Sequence, residues 1–541
     1  MNAHWWHGAS LYQIYVRSWR DSDGDGYGDL RGVIDGLGYL AWLGVDGIWL
    51  SPTTPSPDHD WGYDVSDYLG VHPELGTLAD IDELVAQAGR RGMRVLLDLV
   101  PNHTSSAHPW FVDARSDTRA AHRAYYVWAD QPADGGPPNN WLDSTGASAW
   151  TYDDTTSQYY LHNFLPSQPD LNWWEPAVHA EFEKILRFWF DRGIAGFRID
   201  VAQGLYKDAA LRDDPPPPPG PRNRLTSRFG LSQVYSANRP ESHAVFRDWR
   251  AIAETYDPPR LLLGETWVAG LAAMASFHGH GDELQLTFNF PVIFADFTAK
   301  ALSSLVAETL ADLPAGECAV WTGSNHDLSR FPTRWCGGDE AKSRLALLIL
   351  ATLPGTFVLY YGDEMAMTDV DVPASLRRDE MTSFLQDENA LGAPAGALRD
   401  RARTPMPWDA SPTGGFTADG VRPWLPLGEH AARNVASQRA DPASTLRFCR
   451  GLLALRRAEL GGKPAAYTQL SGPPGVWAYR TGDLVVAANF TREPACLGEL
   501  AGPVLLSSSL AATAREAGTA PAAAGQLAPW EGIIMRGDAA S

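Results

Sequence analysis

The feature that most constrains the fold is an alternation of short apolar runs of strand length with segments of helical period. LYQIYVRS, from Leu11, reads as a buried strand, after which Leu30, Val33, Ile34, Leu37, Leu40 and Leu43 fall on one helical face and Gly44 supplies a stop. VDGIWL is the second strand. Thr77 and Asp80 make a capping-box pattern before Ile81, Leu84, Val85 and Ala88, and RVLLDLV is the third strand. After a break the alternation resumes: Pro176 opens a helix carrying Val178, Phe182, Ile185, Leu186 and Trp189, Gly193 closes it, and IAGFRID follows. RLLLGE, ELQLTFNF, ECAVWTG and TFVLYY bring the strands to eight. Eight parallel strands alternating with helices predict an α/β fold, a (β/α)8 TIM barrel; a doubly wound sheet is the alternative that periodicity leaves open.

The break after RVLLDLV runs for about 70 residues rich in Trp, Asp, Asn, Gly and Pro, longer than an ordinary loop. It predicts a small domain inserted after the third strand at 104–174, between barrel segments 1–103 and 175–460. From about Gly461 the helical period gives way to GVWAYR, DLVVAANF and EGIIMR, which predict a C-terminal antiparallel β domain, a sandwich, at 461–541. The run PPPPPG, Pro215 to Gly220, suits neither helix nor central strand and is expected in a loop after the fourth strand, as a stiff spacer in preference to a recognition motif.

Charge and cysteine content narrow the classes. The formal charge of −21 has no long basic run to set against it, which argues against nucleic acid and anionic membranes as partners. MNAHWWHGAS lacks the pattern of a signal peptide, and no apolar run approaches membrane-spanning length, so a cytoplasmic protein is expected. Cys318, Cys336, Cys449 and Cys496 are few and scattered; they fit a reducing compartment, and read as buried small hydrophobes.

A barrel of this kind builds its site from the C-terminal ends of its strands. RVLLDLVPNHTS closes with Asp98, Asn102 and His103, GFRIDVAQG carries Arg198 and Asp200, LLLGETWV carries Glu265, and WTGSNHDLSR carries His326 and Asp327. One acid at a strand end is usually a cap; three acids with Arg and two His on separate strands are hard to explain that way. Two carboxyls about 5 to 5.5 Å apart can hydrolyse a glycosidic bond with retention, one as nucleophile and the other as acid. Arg198, two residues from Asp200 on the same strand face, is expected to keep Asp200 ionised. Crowding and an apolar wall would raise Glu265.

These four segments, in order and spacing, resemble the conserved regions of glycoside hydrolase family 13, the α-amylase family. QPDLN at Gln168 to Asn172 is similar to the form in oligo-1,6-glucosidases and bacterial α-glucosidases. The resemblance implies Asp200 as nucleophile, Glu265 as general acid and base, and Asp327 as transition-state stabiliser. His103 and His326 would hydrogen-bond the sugar, and Arg198 would orient the nucleophile. It further implies Asp60 and Tyr63 as a binding pair for a terminal glucose, with Arg403 pairing to Asp60 and closing the subsite. The expectation is then an exo-acting retaining α-glucosidase on small α-glucosides or oligosaccharides, with transglucosylation, no organic cofactor, and a monomer or homodimer. A dedicated transglucosylase or sucrose isomerase on the same site is the alternative, and a non-catalytic scaffold relative a third. Val201 hints at tolerance of α-1,6 bonds, and Gln203 and Leu328 depart from common family choices. Asp98 and Asn102 read as structural, and of Trp5, Trp6, Trp173 and Trp174 at least three read as packing.

The stretch DSDGDGYGDL puts Asp21, Asp23, Asp25 and Asp29 at positions 1, 3, 5 and 9 of an EF-hand-like loop, with Gly26 at position 6, but Gly32 stands where a bidentate glutamate belongs. A strand, not a helix, precedes it. Family members resemble it in carrying a structural Ca2+ or Mg2+ here, with the Tyr27 carbonyl as a further ligand.

Overall fold

A computed structural model describes residues 4–133, 135–217, 230–380, 399–498, 500, 502–509 and 525–537. Eight strands, β1 (Ser10–Ile14), β2 (Gly47–Leu50), β3 (Arg94–Leu99), β4 (Gly196–Ile199), β5 (Leu261–Gly264), β6 (Leu286–Thr287), β7 (Val320–Trp321) and β8 (Thr356–Tyr360), pair in parallel in the order β7-β8-β1-β2-β3-β4-β5-β6. A parallel bridge from Phe288 to Val320 joins β6 to β7 and closes the barrel, so the doubly wound alternative falls.

Alternation along each strand sorts the side chains. Leu11, Trp49, Leu96, Leu261, Leu263, Leu286, Val320 and Val358 pack together inside the barrel with Trp6, Phe288 and Phe290. Their neighbours Tyr12, Ile48, Val95, Leu97, Phe197, Leu262 and Leu359 face the surrounding helices. The same parity turns Asp98 and Arg198 inward, one layer above the apolar plug.

Helix α1 (Leu30–Leu43) starts on the Asp29 side chain, which accepts from the Gly32 amide, and stops at Gly44 in the left-handed region at φ 99°. Helix α2 (Leu78–Arg90) starts on the reciprocal capping box of Thr77 and Asp80. The first predicted strand is shorter than its apolar run, because Val16–Ser18 turn as a 3-10 segment. ELQLTFNF keeps only two strand residues: Asn289 caps the Val292 amide and Pro291 opens a short helix at Phe290–Ile293.

Between β3 and β4 the chain forms a three-stranded antiparallel sheet of Trp128–Asp130, Gln158–Leu161 and Trp150–Asp153. An antiparallel bridge from His103 to Asp170 fastens its exit to the segment after β3, and one from Tyr126 to Leu171 ties that exit back to the start of the inserted sheet. The C-terminal segment forms a five-stranded antiparallel sheet, with Ala495–Cys496 and Gln526–Leu527 as a separate ribbon. Strict alternation builds its two faces: Trp477, Tyr479, Leu484, Val486 and Ile534 pack on the barrel layer, and Val476, Ala478, Val485, Ala487 and Ile533 pack with Leu497 and Leu527 of the ribbon.

Trp6 and Trp173 are buried, Trp5 is partly buried and Trp174 is exposed. All four cysteines are unpaired; Cys336 and Cys449 are buried, but Cys496 is exposed on the ribbon, against the expectation for it. Pro218 to Gly220 of the proline run lie outside the described residues. Among the described residues no helix is long and apolar enough to cross a membrane.

Leu96 is fully buried in the barrel plug. Leu96→Ala is expected to lower the unfolding free energy by about 2–5 kcal/mol in denaturant titrations, the cost of a cavity that the closed ring cannot collapse.

Candidate active site

Inward parity and the ends of neighbouring strands bring four charged groups together above the plug. Arg198, 1% exposed, donates from Nη1 to Asp200 Oδ1 at 2.6 Å and to Asp98 Oδ1 at 2.9 Å, and its Nη2 lies 2.7 Å from Glu265 Oε1. The guanidinium therefore serves both Asp200 and Glu265, where the sequence reading gave it to Asp200. Burial pushes Asp200 well above the usual carboxylate range, Arg198 opposes the shift, and Glu265 and Asp98 add to it. Asp98 is likewise pushed up to about 6 by burial, against Arg198 and Tyr63. The expectation of an Asp200 held low by its arginine is thus reversed in the substrate-free site, because desolvation of a carboxylate sharing one cation with two others outweighs the attraction. Asp98, read as structural from the sequence, is a full member of the cluster.

Trp267 Nε1 donates to Glu265 Oε1 at 2.9 Å, and the Val201 backbone N–H donates to Oε2 at 3.0 Å. Nothing in the sequence pattern singled out either contact.

The loop after β2 and the loop after β7 meet on the next side. Tyr63 stacks on His326 with ring centroids 5.1 Å apart and planes 1° from parallel, and its hydroxyl donates to Asp98 Oδ2 at 3.0 Å. Burial drives His326 well below the usual imidazole range, against the pull of Asp327, and lowers His103 also. His103 sits among Asn102, the Tyr63 carbonyl and Gln168, its Nε2 3.1 Å from each of the last two. Asp327 is 26% exposed through its side chain and lies 3.2 Å from His326 Nε2, 3.0 Å from Arg403 Nη2 and 3.3 Å from Arg399 Nη1. Burial favours its neutral form, but His326, Arg399 and Arg403 together outweigh that and hold the carboxyl below its ordinary range.

The arginine paired with Asp60 is Arg399, not Arg403. Arg399 Nη2 donates to Asp60 Oδ1 at 2.7 Å and its Nε to Asp379 Oδ2 at 2.8 Å, while Gln168 donates to Asp60 Oδ2 at 3.0 Å. Arg403 is fully buried, with Nε on the His326 carbonyl at 2.8 Å and its guanidinium over the Tyr15 ring. The 3-10 turn of Arg399–Ala402 separates the two side chains, sending the first to the rim and the second beneath it. RDRAR contains three arginines, and spacing alone does not choose among them. Gln168 stood inside a quoted motif, whereas Asp379 carried no signal.

Apart from this cluster, Asp21, Asp23 and Asp29 bring one carboxylate oxygen each within 4.8 Å of one another. Asp21 accepts from the amides of Asp23, Gly24 and Gly26, and Asp29 from Ser22 and Gly32, so the loop is folded around its acids. The donor set, hard oxygens from three converging carboxylates, fits a divalent cation such as Ca2+. Asp25 is outside the group; its Oδ1 accepts the Tyr27 amide at 2.8 Å instead.

The family model described as "Alpha amylase, catalytic domain" matches residues 13–461. The chain is 41% identical over 470 residues to a probable alpha-glucosidase of Rhizobium meliloti (strain 1021), covering 84% of this chain and 83% of the relative. Among solved structures it is similar to the alpha-glucosyl transfer enzyme XgtA, with a TM-score of 0.89 at 35% identity over 99% of this chain and 100% of the other. It is also similar to the trehalulose synthase MutB from Pseudomonas mesoacidophila MX-45, with a TM-score of 0.86 at 32% identity over 99% and 100%.

The raised Asp98 ties stability to pH. The native chain keeps a proton there up to about pH 6, whereas an unfolded aspartate loses it near pH 4, so this contribution is full below about pH 4 and lost as pH rises through 6. Relative to Asp98→Asn, the wild type is expected to lose unfolding free energy across that window in denaturant titrations; parallel pH profiles would contradict the assignment.

Proposed function

The chain belongs to the α-amylase family, glycoside hydrolase family 13, and from that premise we propose that its site cleaves single glucosyl residues from the non-reducing ends of small α-glucosides with retention. The protein is a glycoside hydrolase of the α-glucosidase type. In its ionised form, which the Arg198 guanidinium favours, Asp200 attacks the anomeric carbon as Glu265 protonates the departing oxygen. Water activated by Glu265 then hydrolyses the glucosyl ester on Asp200. The observation that carries this reading is the placement of the Asp200 and Glu265 carboxylates on one guanidinium, each within 2.7 Å of Arg198 at the mouth of the barrel.

Asp327, ionised and partly open, faces the same space and stabilises positive charge developing at the sugar. Tyr63 and His326 form a flat wall for the ring, and His103 fixes the edge. Asp60, tied by Arg399 and Gln168, closes the end of the site beyond one sugar, which supports exo action. Arg403 acts on Asp327, not on Asp60. The four unpaired cysteines fit a cytoplasmic, reducing setting. Likeness to a glucosyl transfer enzyme and to a trehalulose synthase supports a second reading in which an acceptor alcohol replaces water.

At the first βα loop Asp21, Asp23 and Asp29 would hold a calcium or magnesium ion, a staple that offsets their mutual repulsion. It takes no part in the bond cleavage.

On a panel of α-glucosides, glucose release is expected from maltose or isomaltose and is expected to fall by several orders of magnitude in Asp200→Ala. No release from any α-glucoside would end the hydrolase reading, and a rearranged disaccharide with little free glucose would favour isomerisation. Chelation is expected to lower the thermal unfolding midpoint while leaving the pH optimum in place; identical melting with and without chelator would remove the ion.

A further inference from the structure

Glu265 is buried and held by three donors, two from the end of β4 and one from its own loop. Oε1 lies 2.7 Å from Arg198 Nη2 and accepts the Trp267 indole N–H at 2.9 Å; Oε2 accepts the Val201 backbone N–H at 3.0 Å. Asp98 and Asp200 are the other charged groups close by, and the Asp200 carboxyl is itself in hydrogen-bond contact with Glu265.

Neither neutral donor arrives by accident of packing. Val201 sits in the left-handed region at φ 45° and ψ 46°, a conformation that a β-branched residue rarely adopts, and its amide, next after Asp200, bonds Glu265 in that conformation. Trp267 is fixed twice: its ring stacks on Phe290 with centroids 4.0 Å apart, and its backbone N–H donates to Gln203 Oε1 at 3.2 Å.

Resting on the reading of Glu265 as acid and base, we infer that Trp267 is a positioning residue which, with Arg198, occupies Oε1 and leaves Oε2 as the oxygen that carries and delivers the catalytic proton. An oxygen already accepting one cationic and one indole N–H is the poorer seat for a further proton, while Oε2 accepts a single neutral backbone donor. In the bond-breaking step the Oε2 proton passes to the glycosidic oxygen. The C–O electron pair leaves with that oxygen, and Asp200 supplies the new pair to the anomeric carbon. Glu265 gains a full negative charge in the process, so the indole N–H binds it more strongly in the transition state than in the ground state. Indole is a donor only, so Trp267 exchanges no proton itself.

The test is kcat/KM against pH for wild type, Trp267→Phe and Trp267→His, on maltose and on p-nitrophenyl α-glucoside. Trp267→Phe keeps the stack on Phe290 and removes the donor. Maltose hydrolysis, which needs the leaving oxygen protonated, is expected to fall about 10-fold and the p-nitrophenyl substrate, whose leaving group is good, far less. The alkaline limb for maltose is expected to move upward by about one pH unit, because a lost donor disfavours the carboxylate, and Trp267→His is expected to bring it back part of the way. Equal losses on both substrates with an unmoved alkaline limb would overturn the inference. Glu265→Ala in the same assays separates the two layers: retained maltose hydrolysis removes the acid/base reading itself, whereas its loss together with an unmoved Trp267→Phe limb removes only the role of Trp267. A second readout needs no tryptophan variant. One indole N–H resonance is expected to shift between wild type and Glu265→Gln, and identical indole spectra would overturn the contact.

Discussion

One buried cation organises the mouth of this barrel. Arg198 leaves water almost completely and recovers the cost of desolvation only because Asp98, Asp200 and Glu265 converge on it from three adjacent strands. The arrangement is reciprocal: without the guanidinium three buried carboxylates would repel one another, and without them the guanidinium would be a bare charge in an apolar setting. The parallel pairing that puts Asp98 opposite Arg198, and Arg198 opposite Leu263 one residue pair below Glu265, is therefore a charge arrangement as much as a hydrogen-bond ladder.

Three carboxylates on one cation cannot all be comfortable as anions. Burial raises Asp98 and Asp200, while Asp327, beside Arg399, Arg403 and His326, stays low. Fixed negative charge at Asp327 suits a reaction that builds positive charge on the substrate. The second cation, Arg399, does the corresponding work at the closed end. It holds Asp60, Asp379 and Asp327 together, so the wall that ends the sugar pocket is tied to one of the acids that faces the sugar.

Much of this was legible in the chain. The eight barrel strands, the insertion after the third and the β-rich end follow from local periodicity, and alternation along RVLLDLV, GFRID and LLLGE already put Asp98, Arg198 and Asp200 on inward positions. What misled were places where a turn redirected the chain. ELQLTFNF kept only two strand residues before the helix that Asn289 and Pro291 start, and the 3-10 turn at Arg399 moved the partner of Asp60 by four residues.

The sequence by itself determined the eightfold alternation of strands and helices, the order of the acids and their placement at strand ends, because side-chain period is a local property; closure of the sheet into a barrel came with the Phe288 to Val320 bridge. Only the tertiary structure decided which cation serves which acid, that Trp267 and the Val201 amide grip Glu265, and that Asp25 accepts the Tyr27 amide and stays outside the group of converging carboxylates. Those outcomes depend on distances between segments far apart in the chain and on how completely each charge is desolvated, and neither quantity is carried by any short stretch of residues.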